Sequence, residues 1–362
     1  MRRTVAFLVS LAMAAAMALA MALLPACGLL AGDQPLIGIA LPNQSSARWT
    51  KDGDTMKDIL VERGYRVDLR YAGDDVQTQI RQLEVMLENG AKVLVVTAVD
   101  GASLSAVLDK AAEGQVPVVA YDRLVLDTEA VSYCATFDNA GIGQLQAASL
   151  LNGIWDTKDA GPHNIELFAG SPDDANASYV FDSAMSYLQN FIDAGLIRVP
   201  SGQATREQAA TQSWNRDAAQ ARMEALLAAY YSDGRTLHGV LSPNDGISQG
   251  IIAALDSFGY SAGTDGWPII TGQDADPVSV KLITTGEQYS TVLKDSRLLA
   301  MVAADMVEAL LEDRLPVVND VSTYYNNVIV VPTYCVVPYT VHAGNYRQLL
   351  IDSGYLSESE IR

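Results

Sequence analysis

The chain has 362 residues, 49% of them hydrophobic, and a formal net charge of -19 with a pI near 4.4. That length and apolar content suffice for two ordinary cores and exclude a disordered or collagen-like chain. So acidic a balance also excludes a nucleic-acid partner, because phosphate binding needs concentrated Lys and Arg to displace counterions.

Arg2 and Arg3 precede an apolar stretch from Val5 to Leu24 that ends at Leu24-Pro25-Ala26-Cys27-Gly28. A basic start followed by such a run is an export signal. Small residues directly before a cysteine are similar to the lipidation box of bacterial lipoproteins, with Cys27 as the acylated mature N-terminus. The run is also long enough for one transmembrane helix, which needs about 20 apolar residues. Export puts Cys134 and Cys335 in an oxidising compartment, where pairing is open to them; two buried free thiols are the alternative. Neither belongs to a C-x-x-C motif.

Beyond a tether at 28–34, short apolar runs alternate with helix-length amphipathic segments. The predicted order begins with a strand at Leu36–Leu41, a helix at Arg48–Glu62, a strand at Arg66–Tyr71 and a helix at Val76–Glu88. It continues with Val93–Val96, a helix at Ser103–Glu113 and Val116–Val119. The two Val-rich runs lack polar alternation, as strands covered on both faces do. Gly64, Gly90 and Gly114 fall where the helices should stop. A second series starts near Asn139, with strands expected at Asn164–Ala169, Val240–Ser242 and Ile269–Thr271. Helices are expected at Ser178–Ala194, Asp217–Tyr230, Ile247–Asp256 and Arg297–Glu312. Alternation of this kind predicts an α/β fold of parallel sheets flanked by helices.

In open α/β sheets ligands sit beyond the carboxyl ends of the strands, and polar clusters follow successive strands here. They are Asn43 to Trp49, Tyr121-Asp122-Arg123, Phe137-Asp138-Asn139, Gly170 to Asn176, Pro243-Asn244-Asp245 and Gly272 to Asp276. Catalytic signatures are missing from the sequence. His163, His238 and His342 are isolated, and no H-E-x-x-H, G-x-G-x-x-G, P-loop or G-x-S-x-G motif occurs. The clusters offer Arg48, Arg123 and Lys294 as donors, Asp122, Asp174 and Asp274 as acceptors, Asn176 and Asn244 as both, and Trp49 and Trp214 as platforms. Such a mixture suits the hydroxyl edge and apolar faces of a neutral sugar ring. Each residue also has a plain structural reading. Asp122-Arg123 reads as a loop ion pair, Trp49 as core, Trp214 as a hydrophobic staple and Asp245 as a helix cap.

With Ser46-Ala47-Arg48-Trp49, Lys51-Asp52, Ala120 to Arg123, Phe137-Asp138-Asn139, Gly170-Ser171-Pro172, Ser242 to Asp245 and Gly272 to Asp276, the chain resembles the type I periplasmic sugar-binding proteins of ABC transporters. Within them it is similar to the xylose-binding and multiple-sugar receptors. The resemblance implies a two-lobed α/β protein with three interdomain crossovers, a monomer that closes on an aldopyranose and delivers it to a membrane permease. A sugar sensor for a membrane signalling protein is the alternative, and an exported sugar-processing hydrolase a further one. It implies first-lobe sugar contacts at Ser45, Arg48, Trp49, Asp122 and Arg123, and second-lobe contacts at Asp174, Asn176, Trp214, Asn244 and Asp274. Lys294 would contact the sugar near the second crossover, and Asp138 and Asn139 would act as hinge residues. A third crossover near Tyr334–Val337 would bring Cys335 within reach of Cys134 for a disulfide. No metal, cofactor or enzymatic activity is implied. The expected division is a signal peptide at 1–26, a lipid-anchored tether at 27–34, a first lobe at 35–137 plus 295–334, and a second at 138–294 plus 335–362. Asn43-Gln44-Ser45-Ser46 stands where xylose-specific members carry charged residues, which points toward the multiple-sugar type.

Overall fold

The computed structural model describes residues 34–44, 47–158 and 161–361; the expected export signal, Cys27 and Ser45 lie outside the described residues. The first half runs β1 (Leu36–Leu41), α1 (Ala47–Glu62), β2 (Arg66–Tyr71), α2 (Val76–Glu88), β3 (Ala91–Val96), α3 (Ser105–Glu113), β4 (Val118–Tyr121) and β5 (Val131–Phe137). The second half runs α4 (Asn139–Thr157), β6 (His163–Leu167), α5 (Ala175–Asp193), β7 (Ile197–Arg198), α6 (Arg216–Tyr230), β8 (Gly239–Leu241), α7 (Asp245–Ser257), β9 (Ile269–Ile270), α8 (Pro277–Thr285) and β10 (Ser290–Leu293). Then follow α9 (Ser296–Leu311), β11 (Thr333–Val336) and β12 (Tyr339–His342).

The first sheet has the order β11-β5-β4-β3-β1-β2 and is parallel throughout. Its inner strands β1, β3 and β4 are almost wholly apolar because both faces are covered, whereas the edge strand β2 carries Arg66, Asp68 and Arg70 on one face. Ile37, Ile39, Leu41, Val93 and Val95 pack with residues of α1 and α9, whereas Ala40, Leu94 and Val96 pack with α2 and α3. Burying each such side chain contributes roughly 1.5–3 kcal/mol. A second parallel sheet, β7-β6-β8-β9, lies between one core shared with α4 and α5 and another shared with α6 and α7. Strands β10 and β12 form an antiparallel pair beside it.

The chain passes between the two sheets after β5, after β10 and after β11. Strand β11 runs to Val336, two residues past the first-lobe end expected at 334. Other boundaries moved for local reasons. Pro117 has no N–H to donate, so β4 starts at Val118, while the Pro117 carbonyl still accepts from Leu94 N. Asp174, Asn244 and Asp295 cap α5, α7 and α9, which therefore begin one to three residues earlier than the apolar periodicity indicates. Gly114 caps the end of α3 as the sequence reading placed it, and the left-handed residue is Gln115, which follows it.

The expected Cys134–Cys335 disulfide is not formed; both thiols are free. Cys134 is paired with Thr333 and Cys335 with Thr136, so the cysteines are diagonal neighbours on one face of the β5–β11 ladder.

Candidate functional site

Ten residues expected to act together, Arg48, Trp49, Asp122, Arg123, Asp174, Asn176, Trp214, Asn244, Asp274 and Lys294, line one cavity of about 380 Å³ between the carboxyl ends of the two sheets. Each is placed by an element end. Arg48 and Trp49 open α1, Asp122 and Arg123 follow β4, Asp174 and Asn176 start α5, Asn244 caps α7, Asp274 follows β9 and Lys294 follows β10. A larger cavity of about 820 Å³ beside α4 and Trp267 contains none of them. Its cation, Lys158, is already tied to the carbonyls of Asp265 and Trp267.

Arg48 is the hub of the first-lobe wall. Its Nη2 donates to Asp122 Oδ1 at 2.7 Å, its Nε lies 3.7 Å from Asp52 Oδ2, and its Nη1 reaches 3.9 Å from Asp274 Oδ1 across the cleft. Burial opposes the guanidinium charge, yet Asp122, Asp52 and Asp274 outweigh it and raise the pKa. Burial likewise opposes the Asp122 charge, and Arg48, Lys294 and Arg123 together hold that carboxyl below the usual carboxylate range. Asp52 receives the Tyr121 hydroxyl at 3.0 Å, but burial dominates there and its pKa is raised. Asp122 takes a left-handed backbone with φ 62°; its carbonyl accepts from Thr136 Oγ1 and, from the other lobe, from Asn176 Nδ2 at 2.9 Å.

The opposing wall answers with matched groups. Asp174 caps α5 through Asn176 N and faces Arg123 Nε at 3.1 Å. Lys294, only 7% exposed, lies 2.9 Å from Asp274 Oδ1. Trp49 is both core and lining, with the Arg48 guanidinium 4.6 Å from its ring centroid. Trp214 also has two roles: it precedes Asn215, the cap of α6, and packs on that helix's core while edging the cavity. Ser213 and Trp214 both have φ 54°, and a side chain at Gly170 would overlap the indole, so that glycine lets the ring lie against the backbone.

Of the expected hinge residues, Asp138 caps α4 through Gly141 N and is exposed. Asn139 is buried, lines the cavity and donates to Asn176 Oδ1 at 3.0 Å. Asn43 and Gln273, which the sequence places in polar clusters without a role as contacts, also line the cavity, as do Asp74 and Ser213, which it passes over. Gln273 is buried, and its Oε1 has no hydrogen-bond partner among the described residues. Its position beside Asp274 in the Gly272 to Asp276 cluster was the available signal. Among the described residues no three His, Cys, Asp or Glu side chains converge as metal ligands would.

Residues 37–315 match the family model described as periplasmic binding protein domain. The chain is 46% identical over 355 residues to the multiple sugar-binding periplasmic receptor ChvE of Rhizobium radiobacter, covering 98% of this chain and 99% of that protein. It is 32% identical to the D-xylose-binding periplasmic protein of Escherichia coli, covering 90% and 92%. Among solved structures, it is similar to an ABC transporter solute binding protein from Clostridium phytofermentans with bound β-D-glucose, with TM-score 0.85, 41% identity, and 90% and 100% coverage. A two-sheet α/β architecture, a cleft walled by both halves and relatives matched along almost their whole length agree, and the chain belongs to the periplasmic binding protein family with the type I fold.

Proposed function

We propose that this protein is an extracytoplasmic receptor that captures a neutral aldopyranose by closure of its two lobes and delivers it to a membrane permease, held at the membrane through a lipid on Cys27. The observation that carries the reading is the cavity itself, where bidentate donors and acceptors from both halves face each other beside two indoles. Arg48, Arg123 and Lys294 pair with Asp122, Asp174 and Asp274, and Asp74 accepts from Asn43, so the charges of the lining are answered within the protein, which suits a ligand without net charge. The relatives support a sugar as that ligand, since one is a multiple sugar-binding receptor and another holds β-D-glucose.

Closure follows from differential contact. A ligand that touches both walls favours the form in which both are in reach, and only by as much as it binds that form better. Arg123 with Asp174 and the Asp122 carbonyl with Asn176 already join the two halves, so the sugar adds to contacts that the protein makes itself. Hydrolysis is disfavoured by the same geometry. It needs two carboxyl groups free to act across the scissile bond, one of them protonated as the acid, whereas Asp122, Asp174 and Asp274 each face a cation, at 2.7, 3.1 and 2.9 Å. Calorimetric titration with D-glucose, D-galactose, D-xylose and L-arabinose tests the proposal. Saturable binding of at least one without turnover is expected; no binding of any aldose, or release of product from a glycoside, would overturn it.

A further inference from the structure

Asp274 reaches the cleft from a backbone that resists being there. It has φ 101° and Ala275 φ 54°, two consecutive non-glycine residues in the left-handed region, which persist only where the surroundings impose them. Three consecutive amides of this turn have partners. Asp274 N donates to Val292 O at 2.9 Å, Ala275 N to Thr291 Oγ1 at 3.2 Å, and Asp276 N to Asp245 Oδ2 at 2.8 Å. Thr291 Oγ1 in turn donates its proton to Asp245 Oδ2 at 3.0 Å, which leaves its lone pairs to accept from Ala275 N. Gln288 Nε2 fixes the other carboxylate oxygen at 2.9 Å.

Asp245 is 1% exposed and does not line the cleft. Nor does its side chain cap its own helix, since Asn244 accepts from Ile247 N and so performs that task. A side chain at Gly272 would overlap Asp245 Oδ1 and Gln288 Nε2, so the chain keeps a glycine where this carboxylate passes. Its side-chain hydrogen bonds lead to the turn that carries Asp274, to Thr291 on β10 and to Gln288 just before that strand.

We propose that Asp245 is a positioning residue for ligand binding, which sets Asp274 toward Lys294 and the cleft by holding the Asp274–Asp276 turn directly and through the Thr291 hydroxyl. The role rests on the proposed sugar site, because Asp274 is taken as a ligand contact. Affinity would then depend on Asp245 only while Asp274 is present, a dependence that a merely structural residue would not show.

The test is a double-mutant cycle read by calorimetry with the aldose that the wild type binds, among D-glucose, D-galactose and D-xylose. Asp245→Ala is expected to weaken binding at least tenfold in the native background and less than twofold in Asp274→Ala. Equal losses in both backgrounds, or unchanged affinity in Asp245→Ala, would overturn the proposal. Thr291→Val removes only the relay and serves if Asp245→Ala does not fold; a loss of at least threefold that disappears in Asp274→Ala is expected, and no loss counts against the relay. Amide exchange in the unliganded protein separates this claim from the sugar reading. Asp245→Ala, or Thr291→Val in its place, should speed exchange of the 274–276 amides at least tenfold while β6 and β8 stay protected. Unchanged exchange there contradicts the proposal whether or not a sugar binds.

Discussion

At the scale of single residues, the cleft is organised by charge that burial would otherwise suppress. Asp122 remains ionised because Arg48 donates to it at 2.7 Å and Lys294 and Arg123 stand near, while Asp52, on the far side of the same guanidinium, is pushed toward its neutral form. The two act on stability with opposite signs. The Asp122 contribution is complete above its unfolded value of about 3.9 and is lost as pH falls through the lowered native value; the Asp52 penalty grows as pH rises through its raised native value. The difference in unfolding free energy between wild type and Asp122→Asn should therefore be level from pH 7 to about 5 and shrink below about 4. Urea unfolding across that range measures it, and a difference that vanishes near pH 6 would contradict the assignment. Most of this site was legible, since Arg48, Asp122, Asp174 and Asp274 stand at strand ends where polar clusters are conspicuous. Gln273 was not, because a buried amide with an unpartnered oxygen is visible only once the surrounding atoms are placed.

At the scale of elements, legibility followed the clarity of the period. Strands β1 and β2 and the ends of α2 match the sequence reading, because an unbroken apolar run, a strict polar–apolar alternation and a clean amphipathic face have few alternative interpretations. Helix α4 was not among the expected helices, although the second series was expected to begin near Asn139. It is buried on several sides, with Ile142, Gln146, Ala147, Leu150, Leu151 and Ile154 all inside, so no polar face marks its period. Strands β10 to β12 are four residues each, too short for alternation to register. Packing of α4 on α5 depends on Gly143, whose missing side chain leaves room for the Val180 carbonyl and the Ser183 hydroxyl. Gly143→Val should destabilise the protein by about 1–3 kcal/mol or more through overpacking. An unchanged urea midpoint would show that the helices separate at no cost.

At the scale of the whole molecule, three passages of the chain between the sheets place the cavity where both halves supply walls, and the polar clusters of the sequence converge there. The alternation of strands and helices announced this architecture. The β5–β11 pairing did not follow from it, and the disulfide expected at the third passage gave way to a diagonal register with both thiols free. Attachment to the membrane is a separate proposal. Cys27→Ala should move the protein from the membrane fraction to the soluble exported fraction, since anchoring by acyl chains requires the modified thiol; unchanged retention with an intact N-terminus would favour an uncleaved helix. The central claim, capture of a sugar between the halves, is tested most directly by calorimetric titration of wild type and Asp122→Ala with the same aldose, using circular dichroism to confirm the fold. Charge-assisted hydrogen bonds contribute roughly 1.5–3 kcal/mol each, so Asp122→Ala should weaken binding about tenfold to a hundredfold while the fold is kept. Wild-type affinity in that variant would contradict the account and place the site elsewhere.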